Sequence, residues 1–221
     1  MSQPSVIAID GPAASGKSTV GKLLARKLGY SFADTGAMYR ALTLEALTRG
    51  IKVDDEAELT RLANSTDIRI VPGNDSRVTV NGRDVTGEIY CDAVDKSVSL
   101  VSKVAVVREV LVERQRYLAN GGGIIMVGRD IGTVVLPQAE LKIYLDVSIE
   151  EQARRRQKDI VERGEKADYA SILADLKRRD EIDSKREVGP LRPAEDAVRI
   201  DTDRLNAGGV VAEILRIMEK N

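Results

Sequence analysis

The sequence predicts an α/β fold, in which a central parallel sheet of about five strands is covered by helices on both faces and carries two insertions. Three observations predict it. Short β-branched apolar runs alternate with helix-length segments along most of the 221 residues, which favours parallel strands joined by helical crossovers. The first strand and helix are joined by a glycine-rich loop. A turn-rich stretch between positions 66 and 90 interrupts the alternation and reads as a small antiparallel sheet.

Ser5–Asp10 (SVIAID) is apolar and β-branched with a Gly-Pro break behind it, so it reads as a buried strand. Lys17–Leu28 places Val20, Leu23, Leu24 and Leu28 at helical spacing, and Gly29 supplies the stop. Tyr30–Ala33 reads as a second short strand, and Ala37–Thr48 as a helix ended by Gly50. Asp54 is the expected cap of a helix running through about Asn64. Ile68–Val71 and Val78–Val80 are short strands around the turn Pro72-Gly73-Asn74-Asp75-Ser76, with Asn81-Gly82 as a second turn. Helical periodicity follows from Asp92 through Val98 and from Val104 to Leu118, until Gly121-Gly122-Gly123 breaks it. Ile124–Val127 and Leu141–Val147 read as strands. Glu150–Arg163 and Tyr169–Arg186 are charged helices, Val198–Ile200 a last strand, and Ala207–Met218 a last helix.

Composition narrows the function. The chain is 43% hydrophobic, enough for one sizeable core, and carries 34 basic against 35 acidic side chains. A net charge of −1 argues against bulk electrostatic binding of nucleic acid, while leaving room for a local arginine cluster around a small anion. Cys91 is the single cysteine, so no intrachain disulfide forms and a reducing compartment fits. With no histidine, a Cys/His zinc site is excluded and proton handling falls to carboxylates. No apolar run approaches the ~20 residues of a membrane span, and the first residues do not read as a signal peptide. The expectation is a cytoplasmic monomer without membrane or nucleic-acid partners.

Gly11-Pro12-Ala13-Ala14-Ser15-Gly16-Lys17-Ser18 matches G-x-x-x-x-G-K-[ST], followed by Thr19, and stands between a predicted strand and a predicted helix. Such a loop turns its N–H groups inward around a phosphate at the positive end of a helix. Lys17 is expected to reach the β- and γ-phosphates of a nucleoside triphosphate, and Ser18 to ligate Mg²⁺. Asp34-Thr35-Gly36-Ala37-Met38-Tyr39-Arg40 and Gly128-Arg129-Asp130-Ile131-Gly132-Thr133 each follow a strand. In an open α/β sheet they face the same crevice, so Arg40 and Arg129 can converge on an anionic acceptor.

The motifs together resemble the bacterial cytidylate kinase family over nearly the whole chain. They are IDGPAASGKST (Ile9–Thr19), DTGAMYR (Asp34–Arg40), VVREVLVERQR (Val106–Arg116), GRDIGTVVLPQAELKIYLDVS (Gly128–Ser148) and RRDEIDSKREVGPL (Arg178–Leu191). The chain departs from the family's pattern at Thr35, where serine is common; the hydroxyl is kept. The resemblance implies a P-loop fold with one kinase domain. Residues 1–36, 120–148 and 187–221 form its core, residues 37–119 a monophosphate-binding region with the β-rich insertion, and residues 149–186 a lid and following helix. It implies ATP with Mg²⁺ as the donor and CMP or dCMP as the acceptor. By position, it places Arg40, Arg129, Arg179 and Arg186 around the acceptor and transferring phosphates, with Asp34 among the acceptor-side residues. Asp183 falls on the sugar, Thr35, Ser99, Arg108 and Asp130 around the base, and Arg154, Arg155 and Arg156 on a mobile lid.

Direct phosphoryl transfer needs alignment and charge neutralisation more than a strong base, which suits a chain without histidine. Lys17 and the arginines are the expected catalytic side chains, and Leu141–Val147 with the helices beyond it the expected moving part. The spacing of Arg179, Asp183 and Arg186, four and three apart, places all three on one face if the helix continues. UMP or AMP are rival acceptors, as is a shikimate-like alcohol, for which Asp34 is the candidate base. A nucleotide-dependent switch is the rival from another class; the guanine-reading Asn-Lys-x-Asp motif is not in the sequence.

Overall fold

The first strand, β1 (Val6–Asp10), lies at the centre of a five-stranded parallel sheet in the computed structural model, which describes residues 4–71 and 76–220. Along the chain follow α1 (Lys17–Leu28), β2 (Ser31–Asp34), α2 (Gly36–Thr48), α3 (Glu56–Ser65), β3 (Ile68–Val71), β4 (Arg77–Val80) and β5 (Arg83–Asp84). Then come α4 (Asp92–Ser102), α5 (Ala105–Ala119), β6 (Ile124–Gly128), a π-helical turn (Ile131–Val135) and β7 (Leu141–Asp146). The chain continues through α6 (Ile149–Glu162), α7 (Tyr169–Lys185), β8 (Val198–Asp201) and α8 (Ala207–Lys220). The sheet order is β2-β6-β1-β7-β8, and β3-β4-β5 form a separate antiparallel sheet. No helix among the described residues is long and apolar enough to cross a membrane.

Strand alternation sends successive side chains to opposite faces, and both faces are buried. Ile7 and Ile9 of β1 join Phe32, Ile125, Val127, Ile143 and Leu145 against α1 and α8. Ala8, Ala33 and Met126 point the other way, toward α2, α3, α5 and the small sheet. Fully burying an isoleucine such as Ile7 or Ile9 stabilises by about 1.5–3 kcal/mol, so the register of β1 is strongly fixed. A third, smaller cluster joins Ala13 of the glycine-rich loop to Ala153, Ile172 and Leu176 of α6 and α7.

Three expectations are corrected. Asp55, not Asp54, caps α3: its carboxylate accepts the Glu58 N–H at 3.0 Å. The segment Leu141–Val147 is no moving part, because β7 is paired on both sides, to β1 and β8. Helix α7 ends at Lys185, and Arg186 takes extended angles (φ −64°, ψ 144°). Arg179 and Asp183 therefore share a helix, and Arg186 reaches the site from the strap behind it. Of the turn expected at Pro72–Ser76, residues 72–75 lie outside the described residues. Asn81 and Gly82, with φ of 50° and 82°, make the second turn as a primed hairpin turn must.

Candidate active site

Every strand of the main sheet runs the same way, so the loops after β1, β2 and β6 open on one edge. Between them lies a cleft of about 200 Å³ bounded on its other side by α4, α6 and α7. Seven basic side chains and four carboxylates line it, so a chain of net charge −1 has gathered local positive charge here.

At one end, the loop Gly11–Gly16 leads into α1. Ala14 adopts a left-handed φ of 52°, which helps turn the loop back on itself. Lys17 donates to the Pro12 carbonyl at 2.7 Å, lying across the loop it follows. Burial, then the neighbouring Arg129, pushes the Lys17 ammonium well below its ordinary pKa. The Ser18 hydroxyl donates to Asp34 at 2.7 Å, and the same carboxylate accepts the Gly36 N–H at 3.0 Å. Asp34 thus faces the loop serine as well as the cleft. Thr19 is exposed and does not line the cleft.

At the other end, Arg108 of α5 is 1% exposed and paired with Asp130, just behind β6. The Arg108 guanidinium also donates to the Ser102 carbonyl at 3.3 Å and lies over the Tyr39 ring. Arg186 stands 3.5 Å from the other Asp130 oxygen and donates to the Gly189 carbonyl. Gly189 has φ 61°, and an added Cβ would collide with Asp130 and come within 2.6 Å of Arg108. Ser99 is buried on the same wall. Thr35 donates to the Val127 carbonyl at 3.0 Å, which ties the β2 edge to β6.

Between the ends, Arg129 pairs with Asp183 at 3.0 Å. Burial alone would raise the Asp183 carboxyl, but Arg129, Arg186 and Arg179 outweigh it and hold it below its ordinary value. Burial, with Arg129 and Arg40 nearby, lowers Arg179 to about 10, a sign of crowded positive charge. Nε of Arg108 and Nε of Arg179 are buried without a hydrogen-bond partner among the described residues. Unpaired buried donors are costly, and they suit a site that receives acceptor atoms.

The lid triplet divides. Arg156 lines the cleft and pairs with Asp95, as does Arg40 at 2.6 Å. Arg155 donates toward the Ala14 carbonyl at 3.5 Å and to Thr202 Oγ1 at 3.2 Å, beside the glycine-rich loop. Arg154 is exposed and paired with Glu151, its neighbour on the helix. Sequence reasoning missed Asp95 and Asp180, whose side chains meet the site only through tertiary contacts. It also missed Asp10, which accepts the N–H groups of Ile131 and Gly132 at 2.7 Å each and anchors the π-helical turn behind Asp130.

The profile of the family described as cytidylate kinase matches residues 7–220. Curated proteins named cytidylate kinase are similar throughout. That of Geobacillus thermodenitrificans is 52% identical over 97% of this chain and 96% of its own. That of Desulforamulus reducens is 48% identical over 100% and 99%. Among solved structures, a gluconokinase from Sinorhizobium meliloti 1021 is similar over 100% of this chain and 94% of that one, with a TM-score of 0.54. At 16% identity that likeness is one of fold alone. With half of its residues shared over nearly full length, and the family's profile matched from β1 into α8, the chain belongs to the cytidylate kinase family.

Proposed function

We propose that this chain transfers the γ-phosphoryl group of ATP to CMP and dCMP, yielding ADP and the pyrimidine nucleoside diphosphate. Membership of the cytidylate kinase family carries the choice of acceptor, and the buried Arg108–Asp130 pair, lining the same cleft as the phosphate-binding loop, supports it. Asp130 is fit to accept from the cytosine amino group, and Arg108 to donate to N3 and O2. Uracil would turn a carbonyl toward the carboxylate and leave both unpaired, a mismatch worth up to about 10⁴-fold in discrimination. Arg186, beside Asp130, belongs to the base end in this reading, with Ser99 and Thr35 completing the wall. Asp183 accepts from the sugar hydroxyls, held ionised by Arg129.

Arg40, Arg129 and Arg179 face the phosphates, and Lys17 with the loop N–H groups of Gly11–Ser18 holds the donor. The acceptor's phosphate oxygen is ionised near neutral pH, so attack needs no side-chain base. The arginines spread the charge that moves onto the transferring group and keep the two phosphates in line. Arg155, against Ala14, belongs to the donor side and Arg156 to the acceptor side, so closure of α6 and α7 would cover both nucleotides and exclude water.

The Ser18–Asp34 pair offers a hydroxyl and a carboxylate, hard oxygen donors that suit Mg²⁺. Among the described residues no group of three or more acidic, His or Cys side chains could hold an ion alone, and Mg²⁺ carried in by a nucleotide needs none. When bound, Mg²⁺ neutralises charge on the β- and γ-phosphates. We place the enzyme in the cytoplasm as a monomer, with nucleotides as its partners.

An acceptor panel tests the reading. ADP release from MgATP is measured with CMP, dCMP, UMP, AMP or GMP. CMP and dCMP are expected to stimulate release far more than the others; equal kcat/KM for CMP and UMP would remove this assignment of the base end.

A further inference from the structure

Asp95 has no role in the reaction outlined above, yet three arginines pair with it, against two at Asp130 and one at Asp183. It stands in the first turn of α4, and its side chain is 12% exposed. Guanidinium groups from three other helices reach it. Arg40 of α2 lies 2.6 Å from Oδ1, Arg156 of α6 pairs with Oδ2, and Arg179 of α7 is 3.8 Å from Oδ1. All three arginines line the cleft, whereas Asp95 lines a second cavity of about 280 Å³ that shares Arg156 and Arg179 as its wall. The carboxylate therefore holds these arginines from behind.

The charges do not balance. Three guanidinium groups share Asp95, and Asp183 also acts on Arg179, which still leaves the cluster with net positive charge. A phosphate monoester carries roughly −1.5 to −2 at neutral pH and presents three strong acceptor oxygens. It is the better partner for three forked donors than a single carboxylate. We infer that Asp95 is a built-in competitor for the acceptor's phosphate, a carboxylate from which an incoming phosphate monoester must take over Arg40, Arg156 and Arg179. The inference rests on the reading that these arginines meet the acceptor's phosphate. Its consequence is that acceptor affinity is set below what the arginines alone would give. Because Arg156 lies on α6 and Arg40 on α2, the same carboxylate tethers the lid to the acceptor-binding helices until the exchange occurs.

A merely structural Asp95 would align the arginines, and its removal would weaken phosphate binding; a competitor predicts the opposite sign. Asp95→Asn in the full chain is titrated calorimetrically with CMP, with cytidine and with inorganic phosphate at constant ionic strength. CMP and phosphate are expected to bind about tenfold tighter or more, the scale of one charge-assisted contact, with cytidine unchanged. Unchanged or weaker phosphate binding overturns the inference. Asp95→Glu keeps the charge and is expected to bind phosphate like the wild type. A gain there equal to that of asparagine would overturn it too, and Asp95→Ser, which also removes the charge, serves if asparagine impairs folding. The phosphate arm does not depend on the base. Tighter phosphate with equal use of CMP and UMP would sustain Asp95 while removing the cytosine reading, and CMP-specific turnover with unchanged phosphate affinity would do the reverse.

Discussion

At Asp10, burial and hydrogen bonding pull in opposite directions. The two N–H groups of the π-helical turn favour its carboxylate, but burial is larger and raises the group from 3.8 to about 6. The folded protein therefore binds a proton between about pH 4 and 6 that the unfolded chain has released. Stability from this group is greatest below that window and declines as pH rises through it, by about 3 kcal/mol for a shift of this size. Asp183 and Asp95 are lowered instead, so their contribution is present at neutral pH and lost on acidification. Both remain in Asp10→Asn, and the comparison with the wild type isolates Asp10. The wild type's unfolding free energy, relative to that variant, is expected to fall from pH 4 to pH 6.5 in urea titrations; a flat or rising difference would contradict the shift. Lys17, Ser18 and Arg129 were legible because each belongs to a short motif whose chemistry is local. Asp10 and Asp95 were not, since their partners lie 121 and 61 positions away.

Among the elements, the strap behind α7 carries the most consequence for its size. It turns Arg186 away from the helix axis and brings Gly189 against the Arg108–Asp130 pair. Gly164, between α6 and α7, has a comparable φ of 79° with nothing near its missing side chain. Gly164→Ala tests backbone strain alone and is expected to cost about 1–2 kcal/mol with kinetics unchanged. Gly189→Ala adds a collision with the base end. It should cost about 1–3 kcal/mol more and raise KM for CMP while sparing KM for ATP. Identical kinetics for the two variants would show that the strap does not hold the base end. Most helices and strands were readable from periodicity and stops, α1 to the residue. The π-helical turn was not, because Ile131–Val135 is a continuation of a strand-end motif whose conformation depends on Asp10. The two-residue strand β5 is equally invisible, being made only by pairing with β4.

For the whole molecule, the monomer proposed above sets a simple expectation. Sedimentation equilibrium should return the monomer mass of 24.1 kDa with or without nucleotide, and a stable dimer would refute that expectation. The sheet order has a further consequence, in time rather than space. β1 is made first but occupies the centre, and both its neighbours, β6 and β7, come from the second half of the chain. At ~5–20 residues per second, a ribosome needs on the order of ten seconds to reach them. Throughout that interval Val6–Asp10 lacks both of its native neighbours, and its two edges present unpaired N–H and C=O groups. The helices and small sheet between Gly36 and Ala119 pack largely on one another and can gather meanwhile. The nascent protein must therefore keep its innermost strand from pairing with other chains until Leu145 has emerged, and only then does the loop that follows it become a place for phosphate.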